Sequence, residues 1–170
     1  IQVDTTYSAS LSVTLNYLHD AANRLITLTD PTGNTSYAYS DRNELTSIQD
    51  PQNNQFNFEY DNAGRRTRIT GSGGIEKNYD FDNANRLLSL INKINGNTIN
   101  SFSHEYDGVG NKTQTIDNDG IHDYGYDEVY RLLSATNELE SFEYDSAGNR
   151  TSDVEQSYAH NTVNQIISGS

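Results

Sequence analysis

One short phrase recurs eight times and leaves this chain few ways to fold. Aligned on the Asp that closes FEYD at 58–61, the copies are anchored at Asp20, Ser40, Asp61, Asp82, Asp107, Asp127, Asp145 and Asn161, about twenty residues apart. Every anchor carries a side-chain oxygen able to accept the backbone N–H two residues on and so open a turn. Three residues later stand Asn23, Asn43, Gly64, Asn85, Gly110, Tyr130, Gly148 and Asn164. Seven of these eight are Gly or Asn, the residues that best tolerate a left-handed backbone. Asp-x-x-Gly/Asn is what a type I turn followed by a bulge requires in a hairpin. Tyr130 breaks the rule and predicts either strain or a different turn at that point.

The residues before each turn alternate. One position before the anchor lie His19, Tyr39, Tyr60, Phe81, Tyr106, Tyr126, Tyr144 and His160; three before it lie Tyr17, Tyr37, Phe58, Tyr79, His104, Tyr124, Phe142 and Tyr158. Thirteen of these sixteen slots are Tyr or Phe and the other three are His. Period-2 spacing puts both columns on one face of a strand. Stacked hairpins are then expected to align them into an aromatic ladder of cross-strand neighbours.

After the turn each copy runs through a basic or amide residue and then through Leu or Ile alternating with Ser or Thr, as in RLITL (24–28), RLLSL (86–90) and RLLSA (131–135). This reads as the returning strand. Between copies lie further turn signals: DPTGN (30–34), DPQNN (50–54), GSGG (71–74), INGN (94–97) and DNDG (117–120). Each unit is therefore two short strands and two turns. The expected fold is all-β, an antiparallel ribbon of about eight stacked hairpin repeats with about sixteen strands, curling as a β-solenoid or shell segment. One array should span 1–170, with 1–12 as a partial N-terminal unit. The repeat signature is carried by Tyr39, Tyr60, Asp61, Gly64, Phe81, Asp82, Tyr106, Asp107, Gly110, Tyr126, Asp127, Tyr144, Asp145 and Gly148.

Composition narrows the function. Eleven Lys and Arg against twenty-four Asp and Glu give a net charge of −13 and a pI near 4.4. Nucleic-acid binding rests on cations meeting phosphates, so it is not expected; adsorption to anionic lipid is disfavoured for the same reason. No apolar run approaches the ~18 residues of a spanning helix. Without cysteine, thiol catalysis and thiolate metal sites are excluded. The chain also lacks Met, as expected of a processed product or an excised fragment.

The Y-D-x-x-G-R/N phrase resembles the YD-repeat (Rhs) family, most clearly at 58–65 (FEYDNAGR), 104–111 (HEYDGVGN) and 142–149 (FEYDSAGN). In that family the repeats form a long ribbon of hairpins that spirals into a hollow shell. Its members include bacterial Rhs toxins, the C-type subunits of insecticidal toxin complexes, wall-associated proteins and teneurins. The resemblance implies a non-enzymatic scaffold, secreted or at the cell surface, often enclosing a toxic cargo. Polymorphic members end the shell with a DPxGL-like segment linked to release of the cargo. Here DPTGN at Asp30 lies early in the chain and has Asn34 in place of Leu, so it and Asp50–Asn54 are read as inter-repeat turns.

No catalytic, cofactor or metal residues are expected. His19, His104 and His160 occupy aromatic slots, and His122 falls on the same strand face. A His standing for a ring accounts for all four, whereas zinc needs three or four converging ligands. The anchor carboxylates are explained by turns, and no pair is singled out for acid–base work. Asp117–Gly120 lacks the terminal Glu of a calcium loop and reads as a surface turn. Exposed Tyr beside Asn and Asp can also bind sugars, which makes a carbohydrate-binding adhesion module one alternative. A second follows from the lack of visible capping repeats: bare sheet edges would pair with other repeats, in the same shell or head to tail in a filament.

Overall fold

The computed structural model describes residues 2–7, 11–136, 140–153 and 156–169, and every regular element among them is a strand. Of the partial unit expected at 1–12, residues 1 and 8–10 lie outside the described residues, as does the end of the last returning strand at 170. The chain divides into two compact units, 1–80 with 91–99 and 81–90 with 100–170.

The first unit begins with β1 (Gln2–Tyr7) and β2 (Leu11–His19), followed by β3 (Leu25–Asp30), β4 (Gly33–Tyr39), β5 (Leu45–Gln49), β6 (Gln55–Tyr60) and β7 (Arg66–Gly71), and it includes most of β8 (Ile75–Phe81). All pairings are antiparallel between consecutive strands, so the sheet is a meander. The strand β9 (Leu87–Ile94) is divided between the units, as is β10 (Asn97–Tyr106).

The second unit continues through β11 (Lys112–Asp117), β12 (Gly120–Tyr126), β13 (Leu132–Ala135) and β14 (Glu140–Ser141). Two further ladders close it, β15 (Glu143–Tyr144) with β16 (Arg150–Ser152) and β17 (Tyr158–His160) with β18 (Ile166–Gly169). The described strands number eighteen, against about sixteen expected. The two extra strands are β1, in the partial unit ahead of the first repeat, and the one gained where the stretch from 140 to 144 is broken at Phe142 into β14 and β15.

Register separates the two faces of the first sheet. On one face Tyr37 stands opposite Ile48, which stands opposite Phe56; Tyr17 faces Leu28, and Phe58 faces Ile69. On the other, Ala38, Ser47, Asn57, Thr70 and Glu76 form one continuous row. The expected aromatic ladder is therefore interleaved. Each returning strand places an aliphatic side chain between successive aromatic columns, which are two strands, or about 10 Å, apart. The ring–ring contact of His104 with Tyr106, at 6.5 Å and edge-on, runs along a single strand.

This packing makes no deep core. Among the described residues only Ala135, Thr115 and His122 are buried, and no large side chain is fully enclosed. The aromatic slots are mostly half-buried, because each strand packs chiefly against the strands before and after it. With so little enclosed apolar volume, order depends on backbone ladders and on polar contacts at the turns.

Candidate functional site: the hairpin turn and its link to the next repeat

The turn follows one plan in most copies. At Asp20 the main chain closes in both directions: the Asn23 N–H donates to the Asp20 carbonyl at 3.0 Å, and the Asp20 N–H donates to the Arg24 carbonyl at 2.9 Å. Asp20 Oδ1 accepts the N–H groups of Ala22 and Arg24, both at 2.9 Å. Oδ2 takes the Arg24 Nε–H at 2.6 Å. One carboxylate thus satisfies two backbone donors and a guanidinium, and Asn23 closes the loop at φ 61°. The same set of bonds is found at Asp61 with Arg65, Asp82 with Arg86 and Asp127 with Arg131. At Asp107 and Asp145 an asparagine four residues on, Asn111 or Asn149, supplies its amide to Oδ2 at 2.8 Å. At Asn161 the polarity of that last bond reverses, the anchor amide donating to Gln165 Oε1 at 3.0 Å.

Hydrogen bonding holds these carboxyls below the ordinary aspartate range. At Asp20 and Asp82 the backbone N–H of the arginine four residues on is the largest influence. At Asp145 it is the Asn149 side chain. Partial desolvation is largest at Asp61, Asp107 and Asp127 and pushes upward, but the combined hydrogen bonds outweigh it.

Two contacts then carry each turn to the next. The tyrosine one place before an anchor donates its hydroxyl to a carbonyl of the preceding repeat, always five residues past that repeat's anchor. The pairs are Tyr39 to Leu25, Tyr60 to Leu45, Tyr106 to Leu87, Tyr126 to Lys112 and Tyr144 to Leu132, at 2.8 to 2.9 Å. The arginine four past the anchor reaches forward. Its Nη1 donates to the next anchor's carbonyl, Arg24 to Ser40 at 3.2 Å, Arg86 to Asp107 at 2.9 Å and Arg131 to Asp145 at 3.2 Å. The same guanidinium lies over the next repeat's tyrosine ring, 4.9 Å above Tyr39, 4.8 Å above Tyr106 and 4.6 Å above Tyr144.

One repeat reaches the same end with different residues. Ser40 replaces the anchor carboxylate and donates its hydroxyl to Glu44 at 3.0 Å, while Arg42 pairs with Glu44 at 2.9 Å. Arg42 then takes over the forward link, donating to the Asp61 carbonyl at 2.9 Å. The charges have moved within the turn and the bond to the next turn is kept.

The structure places the signature residues as follows. Asp61, Asp82, Asp107, Asp127 and Asp145 sit at the turns as backbone acceptors. Gly64, Gly110 and Gly148 occupy the left-handed position at φ 77°, 105° and 87°. Tyr39, Tyr60, Tyr106, Tyr126 and Tyr144 make the carbonyl links, and Phe81 fills the same slot without a hydroxyl. Tyr130 keeps the common turn and takes the strain, at φ 66°. Two features escaped the sequence reading. The forward-reaching arginine was visible only as a basic or amide residue of unassigned role. The Asp50 turn carries the full pattern, with Gln52 N–H, Asn54 N–H and Asn54 Nδ2 on its carboxylate and Asn53 at φ 63°. The D-x-x-N-N spelling at 50–54 was the signal that it repeats the anchor turns.

The histidines divide by environment. His104 Nδ1 lies 3.0 Å from Thr115 Oγ1, and burial lowers the His104 pKa. His122, opposite Thr115, reaches Asp117 Oδ1 at 2.9 Å. That oxygen also accepts the Asp119 N–H within the 117–120 turn. Among the described residues no three His, Asp or Glu side chains converge as a metal site.

Comparison with known proteins agrees with this geometry. The RHS Repeat family model matches residues 19–55 and 39–77. Among solved structures the chain is similar to a TcdB2–TccC3–Cdc42 crystal structure, with a TM-score of 0.71 and 18% identity over 91% of this chain and 10% of that one. It is likewise similar to TcdB2–TccC3 (0.69, 19%, 92% and 10%). A third similar structure is a Photorhabdus luminescens Tc holotoxin pore carrying a TccC3 substitution (0.68, 18%, 93% and 9%). At such identity the likeness is one of fold, and this chain spans about a tenth of the length of those chains. No curated protein sequence matches.

Proposed function

Because residues 19–77 match the RHS Repeat model and the same turn recurs along the chain, we propose that it is a wall segment of a secreted or surface-exposed β-shell that encloses a polypeptide cargo. RHS repeats are structural, and the observation that carries the proposal is the link between repeats. Its acceptors are backbone carbonyls, at Leu25, Ser40, Leu45, Leu87, Asp107, Lys112, Leu132 and Asp145. A backbone acceptor is present whatever the neighbouring side chain, so one rule joins any number of repeats. A wall needs that property; a catalytic centre does not. The half-exposed aromatic face supports the same reading, because a sheet with an apolar face is stable only when something lies against it.

Carbohydrate binding is the weaker reading. Sugar stacking needs an open ring face, and guanidinium groups lie over Tyr39, Tyr106 and Tyr144.

The test is electron microscopy of the full-length gene product with limited proteolysis. A closed hollow particle that shields an internal segment from protease is the expected result. Open fibres of constant width would overturn the proposal in favour of a filament, and retention on immobilised glycans without a hollow particle would favour adhesion.

A further inference from the structure

Three of the five turns in the second unit differ chemically from the other turns. Two residues past the anchor, the turns at Asp20, Asp61, Asp82 and Asp145 carry Ala22, Ala63, Ala84 and Ala147, whereas those at Asp107, Asp127 and Asn161 carry valine. Val109, Val129 and Val163 are 62%, 65% and 68% exposed. Beside Val129 stands Tyr130, 58% exposed at φ 66°, where every other copy has Gly or Asn. A bulky side chain held left-handed costs about 1 kcal/mol or more relative to the residues normally found there. The turn closes in the common way, with the Tyr130 N–H on the Asp127 carbonyl at 3.0 Å, so the strain gains nothing for the hairpin. What it does gain is an aromatic ring held out into solvent.

The turns of this unit lie side by side. Arg86 reaches the Asp107 carbonyl, Arg131 reaches the Asp145 carbonyl and Asn149 Nδ2 donates to Asn164 Oδ1 at 3.0 Å. With the Tyr126 hydroxyl on the Lys112 carbonyl at 2.9 Å joining the Asp107 and Asp127 turns, the exposed residues follow one another along one edge, with Ala147 between Val129 and Val163.

Charge identifies what would cover it. The second unit holds fourteen Asp and Glu against four Lys and Arg; the first holds ten against seven. Three of the four cations are already paired, Arg86 with Asp82, Arg131 with Asp127 and Arg150 with Asp153. Glu128, in the Tyr130 turn, is exposed, as are Glu105 and Glu143 two residues before their anchors. None of the three has an ion-pair partner among the described residues, whereas Glu59, at the equivalent place in the first unit, pairs with Arg68 at 3.2 Å. We infer that the Val109–Val129–Tyr130–Val163 edge is an interaction surface for a basic, amphipathic polypeptide segment. The valines and the ring take its apolar side, and Glu105, Glu128 and Glu143 take its cations. A second copy of this chain, at −13, would meet repulsion there.

The intact chain is titrated with a labelled amphipathic peptide of Lys and Leu, and with the same peptide carrying Glu for every Lys, and followed by fluorescence anisotropy. The Lys peptide should bind and weaken with added salt. Tyr130→Asn should weaken it by about tenfold, as expected for losing a central aromatic anchor. Because Asn suits the left-handed position, this variant should melt no earlier than the parent, which separates lost binding from lost folding. Equal affinity for the Glu peptide, no binding of the Lys peptide, or unchanged binding in Tyr130→Asn would each overturn the inference. Sedimentation that reveals self-association abolished by Tyr130→Asn would overturn it in favour of a second copy.

Discussion

The Tyr106 hydroxyl donates to the Leu87 carbonyl at 2.9 Å, nineteen residues back in the chain. It joins the last strand before one turn to the first residues after the previous one. Tyr60 does the same to Leu45 at 2.8 Å. Removing only the hydroxyl in Tyr60→Phe leaves the ring and orphans part of the carbonyl's bonding. The denaturation midpoint should fall by the equivalent of about 1 kcal/mol. Phe81 occupies the same slot, so the ring itself is accommodated. An unchanged midpoint would show that water serves the Leu45 carbonyl equally well.

Acid should unfold the repeats through their anchors. The carboxyls of Asp20, Asp61, Asp82, Asp107, Asp127 and Asp145 all titrate below their ordinary value in the folded chain. A depressed folded pKa contributes stability that is complete above the unfolded value, near 3.9, and is lost as pH falls through the folded one. The thermal midpoint should therefore hold from about pH 7 to about pH 5 and drop below about pH 4. Asp61→Asn, which cannot titrate, should start lower at neutral pH and show a shallower acid slope.

The Ser40 turn offers a double-mutant cycle. Ser40→Asp alone sets a second carboxylate beside Glu44, and Glu44→Arg alone strips Arg42 of its partner 2.9 Å away. Each should destabilise. Together they restore the anchor–arginine pair of the other turns, so the cycle should show favourable coupling of about 1 kcal/mol by urea denaturation. Additive effects would mean that the two positions act independently.

Gly33 is required by its neighbour as well as by its backbone. It sits at φ 132°, and a Cβ there would lie 2.8 Å from the Pro51 Cβ. Gly33→Ala should lower the thermal midpoint by the equivalent of more than about 1 kcal/mol. Gly73→Ala, at φ 82° with nothing within 4 Å, should cost less because only the backbone term remains.

Much of this was legible beforehand because hairpins are local. An Asp that caps its own turn, a Gly or Asn three residues on and aromatics at alternate positions act within about seven residues, and each was placed from spacing alone. Tyr130 illustrates the boundary of that reasoning. The rule it breaks was plain, but whether the chain would change the turn or bear the strain depended on the two strands it joins.

What the string of residues could settle was the unit: two strands, a capped turn and one aromatic face. The joining of units needed the folded sheet. The partner of the Tyr106 hydroxyl, the forward reach of Arg86 and the substitution of Arg42 for an arginine four past its anchor all depend on the register between strands about twenty residues apart. Register is a property of paired backbones. No single repeat contains the carbonyl that the next one will use.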